Sequence, residues 1–183
     1  MTEPSGAQWC ARFPTSTSLD DLVEPFRDRA KAFIAALKAA GAFVTVSATY
    51  RPAERAYLMH YACLVAGYRD TDGIHRQIAP AVAPAMAGVP IDWTCGGQDA
   101  LAFQRAREMV AGYGIAYPAA LVSRHTQRRA VDMTIHWPET LLVQDGNGVP
   151  RRAATQQDLW PIGASFGVHK LPSDPPHWSD DGH

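Results

Sequence analysis

Between Ala130 and His136 the sequence alternates strictly: Val131, Met133 and Ile135 fall on one side of the period, Asp132, Thr134 and His136 on the other. Successive side chains of a β-strand point to opposite faces, so this run predicts a strand with three apolar residues on a core and three polar residues turned away from it. A helix over the same residues would scatter the apolar set around its axis. Asp132 is thereby assigned to the polar face.

Helical spacing elsewhere supplies a layer for that strand to pack on. Ser18 ahead of Leu19, Asp20 and Asp21 reads as a helix start, and Leu22, Phe26, Ala30, Phe33, Ile34 and Leu37 continue at helical intervals towards Gly41. Phe43 to Ala48 reads as a second strand, which ends at Tyr50-Arg51-Pro52. Pro52 suits the first turn of a helix that runs to Gly67, and Asp99 to Tyr113 predicts another, closed by Gly114. Residues 68–97, including an exposed His75, read as a long irregular loop. Leu141–Val143 and Val149–Ala153 flank Asp145-Gly146-Asn147-Gly148, a hairpin turn signal, and a last helix is predicted from about Thr155 to Phe166 before Gly167. The expectation is an α+β protein, helices packed on a small antiparallel sheet.

Composition narrows the classes of function. With 183 residues, 46% apolar and 19% charged, the chain reads as one globular domain over 1–183, flexible at 1–17 and 179–183. Seventeen Lys and Arg against eighteen Asp and Glu leave a net charge of -1, which gives no field to gather nucleic acid. Membrane insertion is not expected, since apolar runs such as Ala79–Val89 are broken by prolines and fall short of the roughly 20 residues a span needs. Residues 1–18 lack the apolar core of a secretory signal. Cys10, Cys63 and Cys95 form no C-x-x-C pair and read as small buried hydrophobes, with a Cys10–Cys95 bridge left open in an oxidising compartment.

Chemistry concentrates in two short segments. Ser123-Arg124-His125 to Asp132 places an imidazole and a carboxylate seven positions apart, and Asp174-Pro175-Pro176-His177-Trp178 supplies another of each. A catalytic zinc takes three protein ligands and keeps one open position, so two histidines and one carboxylate suffice, and the fourth group is left as a base. Zinc acidifies water towards a pKa of about 7, which matches amide hydrolysis. Taken singly, such pairs arise by chance.

The order of motifs says more. A strand ending in Y-R-P, then S-x-H-x(4)-A-V-D-M, then D-P-P-H-W resembles the D-Ala-D-Ala peptidase family of zinc metallopeptidases over roughly residues 43–179. That family includes D,D-dipeptidases, D,D-carboxypeptidases and the L-alanyl-D-glutamate endolysins of phages. The resemblance implies a Hedgehog/D,D-peptidase-like fold, one zinc ion on His125, Asp132 and His177, Asp174 as catalytic base, and Arg51 as the group that stabilises the developing oxyanion. It also implies that Ser123 orients the site or binds substrate. Aspartate rather than glutamate at 174 looks more like the endolysin branch. Arg128 stands where many members have glycine, so the turn differs or carries a substrate-facing charge.

Arg128 and Arg129 suit stem-peptide carboxylates or a solvated surface pair, and Tyr50 suits a substrate hydrogen bond or packing. His136 and His169 read as polar strand residues, Trp178 as core and His183 as terminal. The implied activity is hydrolysis of a peptidoglycan stem-peptide amide, as an endopeptidase of L-Ala-D-Glu type. The alternatives are a D,D-carboxypeptidase and a non-catalytic, zinc-containing wall-binding module. The implied partner is the stem peptide, reached in the periplasm or wall from the cytoplasm through a holin or a secretion system such as type VI.

Overall fold

Proline at position 25 decides where the first helix starts. In the computed structural model, which describes residues 1–183, the strands are β1 (Glu3–Pro4), β2 (Phe43–Ala48), β3 (Tyr68–Arg69), β4 (His75–Arg76), β5 (Ile91–Asp92), β6 (Ala130–His136), β7 (Leu141–Gln144), β8 (Pro150–Ala153), β9 (His169–Lys170) and β10 (His177–Ser179). The helices are α1 (Phe26–Ala39), α2 (Ala53–Ala66), α3 (Asp99–Tyr113) and α4 (Leu159–Ser165). Ser18 does cap a helical turn, but only the 3-10 turn Leu19–Asp21, where its hydroxyl accepts the Asp20 N–H. A helix continued from there would place Pro25 in its interior, where the ring removes a hydrogen bond and clashes with the preceding turn, so α1 begins afresh at Phe26. The last helix is also shorter than expected. Asp158 accepts the N–H groups of Ala154 and Thr155, which holds the chain in a turn until Leu159.

The four helices and small, mainly antiparallel sheets make an α+β fold. Read from its length as one domain, the chain divides into two compact units, residues 1–14 with 52–122 and residues 15–51 with 123–183. In the first, α2 and α3 share a core of Trp9, Tyr57, Leu58, Val65, Trp93, Ala106 and Met109. The 68–97 segment gains a short β3–β4 hairpin, tied by Asp70 to the N–H groups of Asp72 and Ile74 and to Arg76, and β5 pairs with β1 in parallel. The terminal segment expected to be flexible is anchored here, because Trp9 is fully buried. All three cysteines are free thiols. No helix is long and apolar enough to cross a membrane.

The second unit holds a four-stranded sheet in the order β2-β6-β10-β9, every neighbour antiparallel. Val131, Met133 and Ile135 are buried while Thr134 and His136 are exposed, as the alternation predicts. The buried set packs with the α1 stripe of Phe26, Ala30, Phe33, Ile34 and Leu37 and with Trp178 from β10. Phe33 and Trp178 meet at 5.2 Å between ring centroids. The hairpin forms as β7–β8, with Asp145 accepting from Asn147 and Val149 across its turn.

Gly163 in α4 lies against that tryptophan. A Cβ there would come within 2.6 Å of Trp178 Cζ3 and 2.7 Å of the Val168 carbonyl. Gly163→Ala is therefore expected to destabilise the protein by about 1–3 kcal/mol, outweighing the roughly 0.5–1 kcal/mol that alanine gains over glycine inside a helix. Urea unfolding reads this as a lower midpoint, and an unchanged midpoint would show that α4 shifts freely to admit the methyl group.

Candidate metal centre

The β6–β10 ladder brings the two distant motifs together. Its register sets His177 directly opposite Asp132, Trp178 opposite Val131 and Ser179 opposite Ala130. Because Val131 and Trp178 face the core, the neighbouring Asp132 and His177 are turned together to the opposite face. On the other side of β6, the β2 register shifts between Val46 and Ala48, and the intervening Ser47 donates to the Asp132 carbonyl at 3.3 Å. A bulge of this kind re-aims the strand locally, here beside Asp132.

His125 arrives on a turn rather than a strand. Gln127 N–H bonds to Ser123 O, Arg128 N–H to His125 O, and Arg129 N–H to Arg124 O at 2.8 Å, which closes one helical turn just before β6. Arg128 takes φ 61°, the left-handed conformation that ends such turns. The arginine thus occupies the backbone state that glycine favours, and the turn keeps its shape at a local cost. Its guanidinium lies 4.2 Å from the centre of the Tyr50 ring.

Three ligand atoms converge at the end of these elements. His125 Nε2 is 3.0 Å from Asp132 Oδ1 and 3.2 Å from His177 Nδ1, and His177 Nδ1 is 3.1 Å from the same Asp132 oxygen. The outer nitrogens have main-chain partners: His125 Nδ1 lies 2.8 Å from the Thr49 carbonyl and His177 Nε2 lies 3.2 Å from the His183 oxygen. An oxygen of this type only accepts, so each outer nitrogen carries the proton and the neutral ring directs a lone pair inwards. Two lone pairs and a carboxylate oxygen in contact repel one another unless a cation or shared protons lie between them. The edge of a tetrahedral zinc site is about 3.3 Å for ligand bonds near 2.0 Å, close to the observed triangle.

His125, Asp132 and His177 are therefore a buried group that can bind a metal ion. With protons in place of a cation, burial would raise the Asp132 carboxyl, but hydrogen bonds and charge from the two histidines hold it well below the ordinary carboxylate range. It is an anion in either state.

Asp174 lies exposed on the turn before His177, and its main-chain carbonyl accepts the His177 N–H at 3.1 Å. Arg51 is half-buried, and its backbone N–H donates to the His125 carbonyl at 3.2 Å. The Ser123 hydroxyl accepts the Thr126 N–H, so it serves the turn that carries His125. Arg129 pairs with Asp180, while His136 is an exposed residue of β6 and His169 a half-buried residue of β9.

Two contributors to the site belong to neither sequence motif. Thr49 is fully buried, and its hydroxyl ties to the carbonyls of Ser16 and Ser18, fixing the carbonyl that orients His125. Any residue has a carbonyl, so no motif marks this role. Lys170 is the other. Burial pushes its ammonium down from the ordinary value while the carboxylates of Asp174 and Asp132 pull it up, and its position ahead of a proline-rich, donor-poor loop was the available clue.

No protein-family model, curated protein or solved structure matches this chain.

Zinc at a hundred times its dissociation constant is expected to stabilise the protein by about 2.7 kcal/mol, seen as a rise in thermal midpoint that His125→Ala and His177→Ala each abolish. An equal rise in either variant would put the ion elsewhere. At the turn, Arg128→Gly is expected to be more stable than Arg128→Ala by about 1 kcal/mol. Equal denaturation midpoints for these two variants would mean that residue 128 is not held left-handed.

Proposed function

We propose that this chain is a zinc-dependent peptidoglycan peptidase that hydrolyses a stem-peptide amide as an endopeptidase, with the L-Ala-D-Glu bond as its preferred target. The observation that carries this reading is the triangle of His125, Asp132 and His177, with both histidines oriented by main-chain oxygens. Structural zinc sites close with four protein ligands, whereas this group stops at three, the number a catalytic site uses. The order of motifs shared with D-Ala-D-Ala peptidases supplies the substrate class.

When bound, a zinc ion supplies the Lewis-acid chemistry that amide hydrolysis needs at neutral pH. The chain's own residues divide the remaining work. Asp174, exposed on the turn ahead of His177, takes the proton of the attacking water and returns it to the departing amine. Arg51 is tied through its backbone to His125, and its guanidinium receives the carbonyl oxygen as negative charge develops there. Donors of this kind contribute roughly 3–4 kcal/mol each to the transition state. Arg128, stacked on Tyr50, offers a planar fork for a stem-peptide carboxylate.

Digestion of purified sacculi with the zinc-loaded protein, followed by mass spectrometry of the new termini, tests the proposal. Cleavage between L-Ala and D-Glu is the expected result. Release of free D-Ala alone identifies a carboxypeptidase, and intact sacculi that still bind the protein identify a non-catalytic module. Asp174→Ala is expected to lower kcat by about 10²–10⁴-fold with zinc content unchanged; full activity in that variant removes Asp174 from the mechanism.

A further inference from the structure

The segment from Leu171 to His177, which carries both Asp174 and a metal ligand, contains Pro172, Pro175 and Pro176. Each proline lacks an N–H, so the loop is rich in acceptors and poor in donors. Three of its carbonyls, those of Leu171, Asp174 and His177, turn inwards to one point. The Lys170 ammonium occupies that point and donates to Leu171 O at 2.5 Å, to His177 O at 3.0 Å and to Asp174 O. An ammonium has three donors, and here all three are used.

The lysine is itself well anchored. Its backbone pairs with Trp178 in the β9–β10 ladder, and Trp178 is buried against Phe33. Main-chain bonds from Asp174 N–H to Leu171 O, from His177 N–H to Asp174 O and from Leu171 N–H to His177 O draw the loop around the same centre. None of these bonds neutralises the mutual repulsion of three converging carbonyl dipoles, whereas the ammonium does.

We infer that Lys170 is a positioning residue of the metal centre, acting through the Leu171–His177 loop to hold His177 opposite Asp132 and Asp174 ahead of it. Lys170 acts through the main chain of His177 and hydrogen-bonds to none of the three ligand atoms. The inference rests on the metal-binding part of the proposed function and not on its substrate. Methionine has nearly the length of lysine without its donors, so Lys170→Met removes the clamp while keeping most of the packing. Arginine presents a planar fork, which cannot direct three N–H groups from a single atom, so Lys170→Arg restores charge but not the clamp.

Zinc affinity, measured by competition with a chromophoric chelator, tests this in the wild type and both variants. Loss of a residue that orients a ligand typically weakens metal binding about 10–100-fold. A loss in that range is expected for Lys170→Met in protein that circular dichroism shows to be folded, with Lys170→Arg between it and the wild type. Folded Lys170→Met with zinc affinity within about twofold of the wild type overturns the inference. A merely structural role would lower the unfolding midpoint of the metal-free protein and leave that affinity unchanged.

Should Lys170→Met not fold, the wild type decides. The chain has three lysines, Lys31, Lys38 and Lys170. In nitrogen-15 spectra of their ammonium groups, one signal is expected to exchange slowly with water and to shift on zinc addition. Three fast-exchanging signals would reject the clamp. A wild type that binds no zinc defeats the metal reading together with this inference, whereas zinc binding without cleavage of sacculi defeats only the proposed peptidase activity.

Discussion

The pairing of β6 with β10 is the constraint on which the site depends. Antiparallel strands alternate their faces in step, so one register fixes both what is buried and what is presented. Here Val131 and Trp178 enter the core together, and Asp132 and His177 are thereby turned to the opposite face as direct neighbours. A slip of β10 by one residue against β6 would send His177 into the core and Trp178 out, and so part the two ligand candidates. The apolar cost of that exchange makes the pairing of Asp132 with His177 a consequence of core packing. Phe33 and Gly163, which shape the space around Trp178, therefore help to set the ligand geometry from a distance.

The third ligand is held by a different principle. His125 sits on a turn whose geometry depends on main-chain hydrogen bonds and on a left-handed Arg128, and its ring is aimed by the Thr49 carbonyl. Thr49 is in turn fixed by its own hydroxyl to Ser16 and Ser18. The segment ahead of α1 thus supports the site without contributing a ligand. Arg51 follows from the same junction, since its N–H reaches the His125 carbonyl and Thr49 is two residues away. One short stretch, Thr49 to Arg51, orients the His125 ring and ties Arg51 to the same residue through its backbone.

The prolines of the 171–177 loop show how the same feature both restricts and requires. They limit the conformations of the loop, which favours a fixed place for Asp174, and they remove donors that the backbone would otherwise supply. Lys170 replaces those donors from the adjacent strand. Its charge also offsets the carboxylates of Asp174 and Asp132, whose fields reach it.

The sequence by itself determined those parts of the protein that depend on local periodicity and on ligand chemistry. The alternation of 130–136, the span of α3 from Asp99 to Tyr113 and the hairpin around Asp145 were legible because each depends on side-chain type at fixed spacing, whereas the choice of His125, Asp132 and His177 among the candidate ligands was what the resemblance to D-Ala-D-Ala peptidases implied. The start of α1 departs from the helical spacing because the apolar stripe runs through Pro25, and the start of α4 departs from it because an Asp158 turn competes with the helix. Only the tertiary structure decided the register that sets Asp132 against His177, the aim of His125 by Thr49 and the capture of three carbonyls by Lys170. These depend on main-chain atoms, which every residue possesses, and on which segments a shared core brings into contact.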